Sequence, residues 1–347
     1  MLYHILKDSS ELDAPHMARL LIFLGVAFSF LVTFIAIILF KDKLPRDGGR
    51  DFAVDGKKSA GKGRGAGVIF VAVFCASAVL FFPLSAELII YLIVIMLTRL
   101  SGYLDDAAKT PWGEYKKGII DFAIALACAI TFVYFNGSTF TIVLLRTDIT
   151  LPSWLFVILA VILIWVSINV VNCSDGVDGL SASLAIVTML AFYFIFDKFQ
   201  YYTNLLCAQD SEIGTSVIYK GLILSFIACL IAYLWFNAAP SILMMGDAGS
   251  RAMGMFIAIL ALKCGAPLLF IPLALAFILD GGLGLLKIVC IRFLKLKGFM
   301  KNIRTPLHDH VRKNFEPAWS PTQVVFRFSI INLFICSVYL GLLLMTR

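Results

Sequence analysis

The sequence predicts an all-α polytopic integral membrane protein of about ten transmembrane helices, and three observations carry that prediction. Of 347 residues, 61% are hydrophobic and only 15% charged, whereas an ordinary soluble domain is charged at roughly a quarter of its positions. The apolar residues fall in long continuous runs, many near the roughly 20 residues that a helix needs to cross a bilayer core. Period-two alternation is absent, which argues against an outer-membrane barrel. The whole chain, 1–347, reads as one transmembrane domain without internal repeats or low-complexity tracts.

Set against their breakers, the runs place helices at 19–40, 66–84, 86–102, 118–136, 151–171, 180–197, 217–237, 250–264, 266–291 and 322–345. The third and eighth are short or interrupted, so nine spans or a re-entrant segment stay open. An even count puts both termini on one side. The stretch from Met1 to Met17 carries Lys7, Asp8, Glu11 and Asp13 and lacks the shape of a signal peptide, so the first span is expected to remain in the mature protein.

Basic residues orient the bundle. Lys41, Lys43, Arg46, Arg50, Lys57, Lys58, Lys62 and Arg64 follow the first run; Lys109, Lys116 and Lys117 follow the third; Arg292, Lys295, Lys297, Lys301, Arg304, Arg312 and Lys313 follow the ninth. Alternate loops hold little more than Arg146, Lys198 and Lys263. The positive-inside tendency puts the loops near 41–65, 103–117, 172–179, 238–249 and 292–321 in the cytoplasm and both termini on the extracytoplasmic side. The eight cysteines never approach CxxC spacing, which points to neither a disulfide framework nor a zinc site.

Five polar segments share that cytoplasmic face: Gly61-Lys-Gly-Arg-Gly-Ala-Gly67, Leu104 to Lys109, Asn172 to Gly179, Asn237 through Ser250, and Thr305 to His310. Asp105 and Asp106 adjoin the membrane, where ionised carboxylates are costly unless paired or metal-bound. They read as helix termination or as hard oxygen ligands suited to Mg²⁺. Asp175 and Asp178 stand three apart, each followed by glycine, in an acidic turn between two apolar runs. Asp247 reads as a helix cap, a metal ligand or both. His308 and His310 flank Asp309, and imidazole near a diphosphate can donate to phosphoryl oxygens. Asp280 lies at membrane depth with Lys287 on nearly the same helix face as its expected partner. Gly61–Gly67 looks like a phosphate cradle but lacks P-loop order, which disfavours ATP-binding cassette chemistry.

In this order the segments resemble the polyprenyl-phosphate N-acetylhexosamine-1-phosphate transferases. Ala60–Gly67 is similar to the family's AGTPTMGG, Asn172–Gly179 to its NLTDGLDG. Met1-Leu-Tyr-His4, Gly102–Asp106, Trp235-Phe-Asn237 and Met245–Ser250 resemble further family segments. Pro306-Leu-His-Asp-His310, followed by Trp319–Phe328, resembles the muramoyl-pentapeptide branch. Three departures stand out. Lys62, Gly63 and Arg64 replace the Thr-Pro-Thr of the glycine segment, Asp309 interrupts a triple histidine, and Met244 takes the place of an aromatic that stacks on uracil.

The resemblance implies Mg²⁺-dependent transfer of phospho-MurNAc-pentapeptide from UDP-MurNAc-pentapeptide to undecaprenyl phosphate, giving lipid I and UMP at the cytoplasmic face of a bacterial plasma membrane. It implies Asp247 as Mg²⁺ ligand, with Asp105 and Asp106 organising metal and lipid phosphate and Asp105 a candidate base. Lys62, Lys117 and His308 would contact phosphates. Asn172, Asp175, Gly176, Asp178, Asn237 and Met244 would line the uridine and sugar side, with Asp309 and His310 beside them. The expected partners are these two substrates and the lipid bilayer, with a homodimer left open and no nucleic acid. The alternatives are the same chemistry on UDP-GlcNAc or another UDP-sugar, and a secondary transporter built on Asp280 and the interrupted eighth run.

Overall fold

The computed structural model describes residues 2, 14–49, 54, 56–108, 110, 112–198, 214–296 and 298–345. Met1, Tyr3, His4, Arg50, Lys109 and Lys297 lie outside them. Every expected apolar run is helical. The helices are α1 (Ala14–Phe40), α2 (Gly67–Phe81), α3 (Ala86–Asp106), α4 (Glu114–Asn136), α5 (Ser153–Cys173), α6 (Leu180–Lys198), α7 (Thr215–Asn237) and α8 (Gly246–Lys263). A bent pair follows, α9 (Pro267–Leu273) and α10 (Leu275–Arg292), then a short α11 (Leu307–Lys313) and a long α12 (Pro321–Met345). Among the described residues seven helices, α1, α3 to α7 and α12, are long and apolar enough to cross a membrane, or eight if the bent pair counts as one span. The chain is a polytopic helical membrane protein.

Three expectations need correction. The third run is neither short nor interrupted: α3 continues to Asp106, because the Asp106 carboxylate finds backbone donors on another helix. The eighth run is also continuous, and its charges, Asp247, Arg251 and Lys263, sit between helices, since all 18 of its residues are buried. The interruption falls in the ninth run, where α9 and α10 meet at 68°. Pro272 cannot donate there and its ring crowds the preceding turn. The Leu273 carbonyl at the break instead accepts from Thr188 Oγ1 at 3.0 Å. The fold is also not purely helical. A two-stranded antiparallel hairpin, β1 (Thr139–Ile142) and β2 (Thr147–Thr150), joins α4 to α5, with Thr139 opposite Thr150.

α8 is the hub, packing against α2, α3, α5 and α6. Outside it α1 packs on α7, α4 on α3 and α5, and α12 on α6. Consecutive helices alternate in direction, so the ends of α3, α5 and α7 gather with the starts of α4, α6 and α8. Asn237, at the end of α7, accepts from Gly179 N just before α6 at 2.8 Å. At the opposite end the hairpin ties to the turn just beyond α8, Thr141 N donating to Gly265 O at 2.9 Å.

Candidate active site

The first turn of any helix has N–H groups without intrahelical acceptors. In α8 those groups are served from a different helix: Asp247 N donates to Asp106 Oδ1 at 3.2 Å and Ala248 N to Asp106 Oδ2 at 3.1 Å. Asp106, not Asp247, is therefore the cap of α8. The approach requires a glycine at 246, where φ is +66° and a Cβ would strike the Asp106 carboxylate. Asp247 sits in the first turn with its carboxylate on the cavity side, paired to Lys117 Nζ at 3.3 Å and Arg64 Nη2 at 3.5 Å. Asp105 is engaged on both oxygens, Oδ1 by Trp112 N at 2.7 Å and Oδ2 by Lys117.

Arg64 joins the acids. Its guanidinium reaches Asp106 at 2.8 Å, Asp247 at 3.5 Å and Asp47 at 3.6 Å. Burial alone would lower its pKa, but Asp106, Asp247 and Asp47 outweigh that and hold it above the ordinary arginine value. The glycine segment that carries Arg64 lies along the approach to α8, with Met244 N donating to Gly63 O at 2.8 Å and Ala66 N to Met244 O at 3.0 Å. Met244 thus contributes backbone that seats Arg64.

The acidic turn and the histidine close the other side. Ser250 Oγ donates to Asn172 Oδ1 at 2.7 Å, fixing the end of α5 against α8. Residues 278–282 of α10 form a π-helical turn, a distortion that commonly marks functional positions. It delivers Asp280, fully buried, to His308: the backbone N donates at 2.8 Å and Nδ1 lies 2.9 Å from Oδ2. A carboxylate on Nδ1 holds a proton there, and Nε2 faces the cavity side, 3.9 Å from Asp309 Oδ1. Gly176 is required opposite, because a Cβ there would collide with the imidazole. The expected Asp280–Lys287 pair is not formed: Lys287 Nζ donates to Ile303 O at 2.7 Å.

One cavity of about 940 Å³ collects Asp105, Asp106, Lys117, Asn172, Asp175, Gly176, Asp247, His308 and Asp309. Five predicted site residues lie elsewhere, Met244 among them. Lys62 pairs with Asp178 at 3.3 Å and donates to Ser241 Oγ at 2.9 Å. Asn237 bridges Gly179 N and Leu243 O. His310 accepts from Arg304 N at 3.2 Å through Nδ1. These contacts shape the loops beneath the cavity. Sequence reasoning placed Arg64 in a basic loop and in the cradle-like glycine segment without giving it a partner, did not single out Asp47, and gave Asp280 the wrong partner. The cation wedged between glycines was the available signal.

Among the described residues no three His, Cys, Asp or Glu side chains stand at metal-ligand spacing. Mg²⁺ does not need three, since it usually takes one or two carboxylates and completes its shell with water and phosphate. Asp247 fits that role: its oxygens hold only long ion pairs, whereas those of Asp105 and Asp106 are engaged by backbone N–H groups and cations.

Fold and site together define a multi-pass membrane protein with a polar cavity suited to phosphate-bearing substrates, acids and cations interleaved at one end of its helices. Residues 88–265 match the family described as Glycosyl transferase family 4. The phospho-N-acetylmuramoyl-pentapeptide-transferase of Treponema pallidum (strain Nichols) is 38% identical over 314 residues, covering 88% of this chain and 84% of the relative. Proteins of the same name from Thermobifida fusca (29% identical, 77% and 80% covered) and a Wolbachia of Drosophila simulans (26%, 79% and 81%) also match. The chain belongs to the phospho-N-acetylmuramoyl-pentapeptide-transferases of glycosyl transferase family 4.

Proposed function

We propose that the chain transfers phospho-MurNAc-pentapeptide from UDP-MurNAc-pentapeptide to undecaprenyl phosphate, forming lipid I and releasing UMP. The observation that carries the reading is the convergence of Asp105, Asp106, Asp247, Arg64, Lys117 and His308 on one end of the bundle. A lipid acceptor and a water-soluble donor can meet only at a membrane face. The basic loops at that end support a cytoplasmic site, ten crossings completed by α2, α8 and the bent pair, and both termini on the far side.

In the reaction an acceptor phosphate oxygen bonds to the sugar-side phosphorus of the donor while the bond to UMP breaks. Three phosphates then crowd together, and Lys117 and Arg64 offset their repulsion. Bound Mg²⁺, held by Asp247, would add charge neutralisation and polarise phosphoryl oxygens. Asp105 aims Lys117, since a phosphomonoester acceptor is already largely ionised at neutral pH and needs placing more than deprotonation. His308, set by Asp280, presents Nε2 beside the Gly176 turn, where its imidazolium form, with a proton on each ring nitrogen, donates to a diphosphate oxygen.

The test is UMP release by detergent-solubilised protein supplied with undecaprenyl phosphate, Mg²⁺ and either UDP-MurNAc-pentapeptide or UDP-GlcNAc. Turnover of the first donor alone, lost in Asp105→Asn, Asp106→Asn and Asp247→Asn, is expected. Preference for UDP-GlcNAc, or full activity in all three variants, overturns the reading.

A further inference from the structure

One turn beyond the site, a second pair of charges joins α4 to α8. Arg251 is 2% exposed and Asp121 3%, and Arg251 Nη2 pairs with Asp121 Oδ1. Neither residue lines the cavity. Arg251 Nη1 donates to no acceptor among the described residues. Four-residue spacing puts Arg251 directly behind Asp247 on α8 and Asp121 directly behind Lys117 on α4. The order of charge is opposite on the two helices: acid then base on α8, base then acid on α4.

Packing does not call for such a pair. A buried ion pair is often replaceable by apolar residues of similar volume without loss of stability. What distinguishes Arg251 is permanence. Lys117 and Arg64, with side chains 29% and 20% exposed, hold Asp247 through long contacts that an incoming phosphate can take over. Arg251 is sealed from the cavity and anchored by Asp121, so no substrate can draw it away.

Resting on the transferase reading above, we infer that Arg251, anchored by Asp121, is a positioning residue: the fixed countercharge that keeps the Asp247 carboxylate in place while Lys117 and Arg64 turn to the substrate's phosphates. The side chain acts through Asp247 and does not touch substrate.

Steady-state kinetics and thermal unfolding in detergent test this with three variants. Arg251→Lys keeps the charge and should keep kcat within about threefold, a change worth less than one tenfold step in barrier. The apolar pair Arg251→Met with Asp121→Leu should retain Tm and donor KM while kcat falls on the order of 10- to 100-fold, as for a displaced catalytic group. The exchanged pair Arg251→Asp with Asp121→Arg preserves both charges but reverses their order, and should show the same loss in kcat with Tm near that of the parent. Unchanged kcat in either double variant overturns the inference, as does failure of both to fold, which would make the pair purely structural. Absence of UMP release by the unmodified protein would instead defeat the transferase reading.

Discussion

Two clusters of buried charge occupy opposite ends of the same three helices, α3, α4 and α8, and they are assembled differently. At the hairpin end Lys263 Nζ donates to Glu87 Oε1 at 3.0 Å, Glu87 Oε2 at 2.9 Å and Asn136 Oδ1 at 2.7 Å. All three ammonium protons are used. Glu87 Oε1 accepts further from Tyr91 OH at 2.7 Å and Asn136 Nδ2 at 2.6 Å. At the site end Arg64 is spread over three acids, and Asp247 holds its two cations at 3.3 and 3.5 Å beside a cavity of about 940 Å³. A saturated cluster joins helices and has nothing left for a ligand. The loosely paired one leaves charge that a polyanion or a cation can engage.

The sharpest way to break this contrast is to unbalance the closed cluster. Lys263→Met leaves the half-buried Glu87 carboxylate without its cation and should cost about 3 kcal/mol of stability, the low end for a buried pair. Removing both charges, with Glu87→Leu added, should recover most of it. Thermal unfolding reads both, and an unaltered Tm in the single variant would show that the cluster does not hold the helices. Asp247→Asn should do the reverse at the other end, lowering kcat on the order of 10²- to 10³-fold with little change in Tm. If its Tm falls instead, the site end is structural after all.

A smaller effect is expected from Asp280→Asn, which can no longer fix the His308 tautomer. A loss of kcat on the order of 10²-fold, as when one donor to a transition-state oxygen is misplaced, is expected, with donor KM unchanged, and a purely KM effect would confine the His308 contact to the ground state. The smallest belongs to His310→Ala. Its ring accepts one backbone hydrogen bond and stacks edge-on to Phe315, so about 0.5 kcal/mol and no more than a few-fold change in rate are expected. A large drop in kcat would place His310 back among the substrate contacts.

The bundle was legible in the sequence because lipid demands continuous apolar runs, and each run is a helix. The bend at Pro272 and the hairpin were not, since a proline in an apolar stretch and a short Thr-rich connection carry weak signals. The acids around the cavity stood out because carboxylates are scarce in such a chain. Their division of labour did not. That Asp106 caps a helix 141 positions away, or that Asp280 answers to His308 and not to Lys287, depends on which helices are neighbours. Lys62 and Arg64 are two residues apart in one glycine segment, and only the fold shows that Arg64 turns to the cavity acids while Lys62 turns to Asp178.

The bond from the start of α8 back to Asp106 spans 141 residues of chain. At a synthesis rate of roughly 5–20 residues per second, α3 emerges on the order of ten seconds or more before the helix it caps. Throughout that interval the growing chain carries the Asp105–Asp106 pair without the N–H groups that Asp106 caps and without the Asp247 carboxylate. The nascent protein thus lacks Asp247 until its eighth helix arrives and His308 until α11 follows, and any truncation upstream of Gly246 removes both from the cavity.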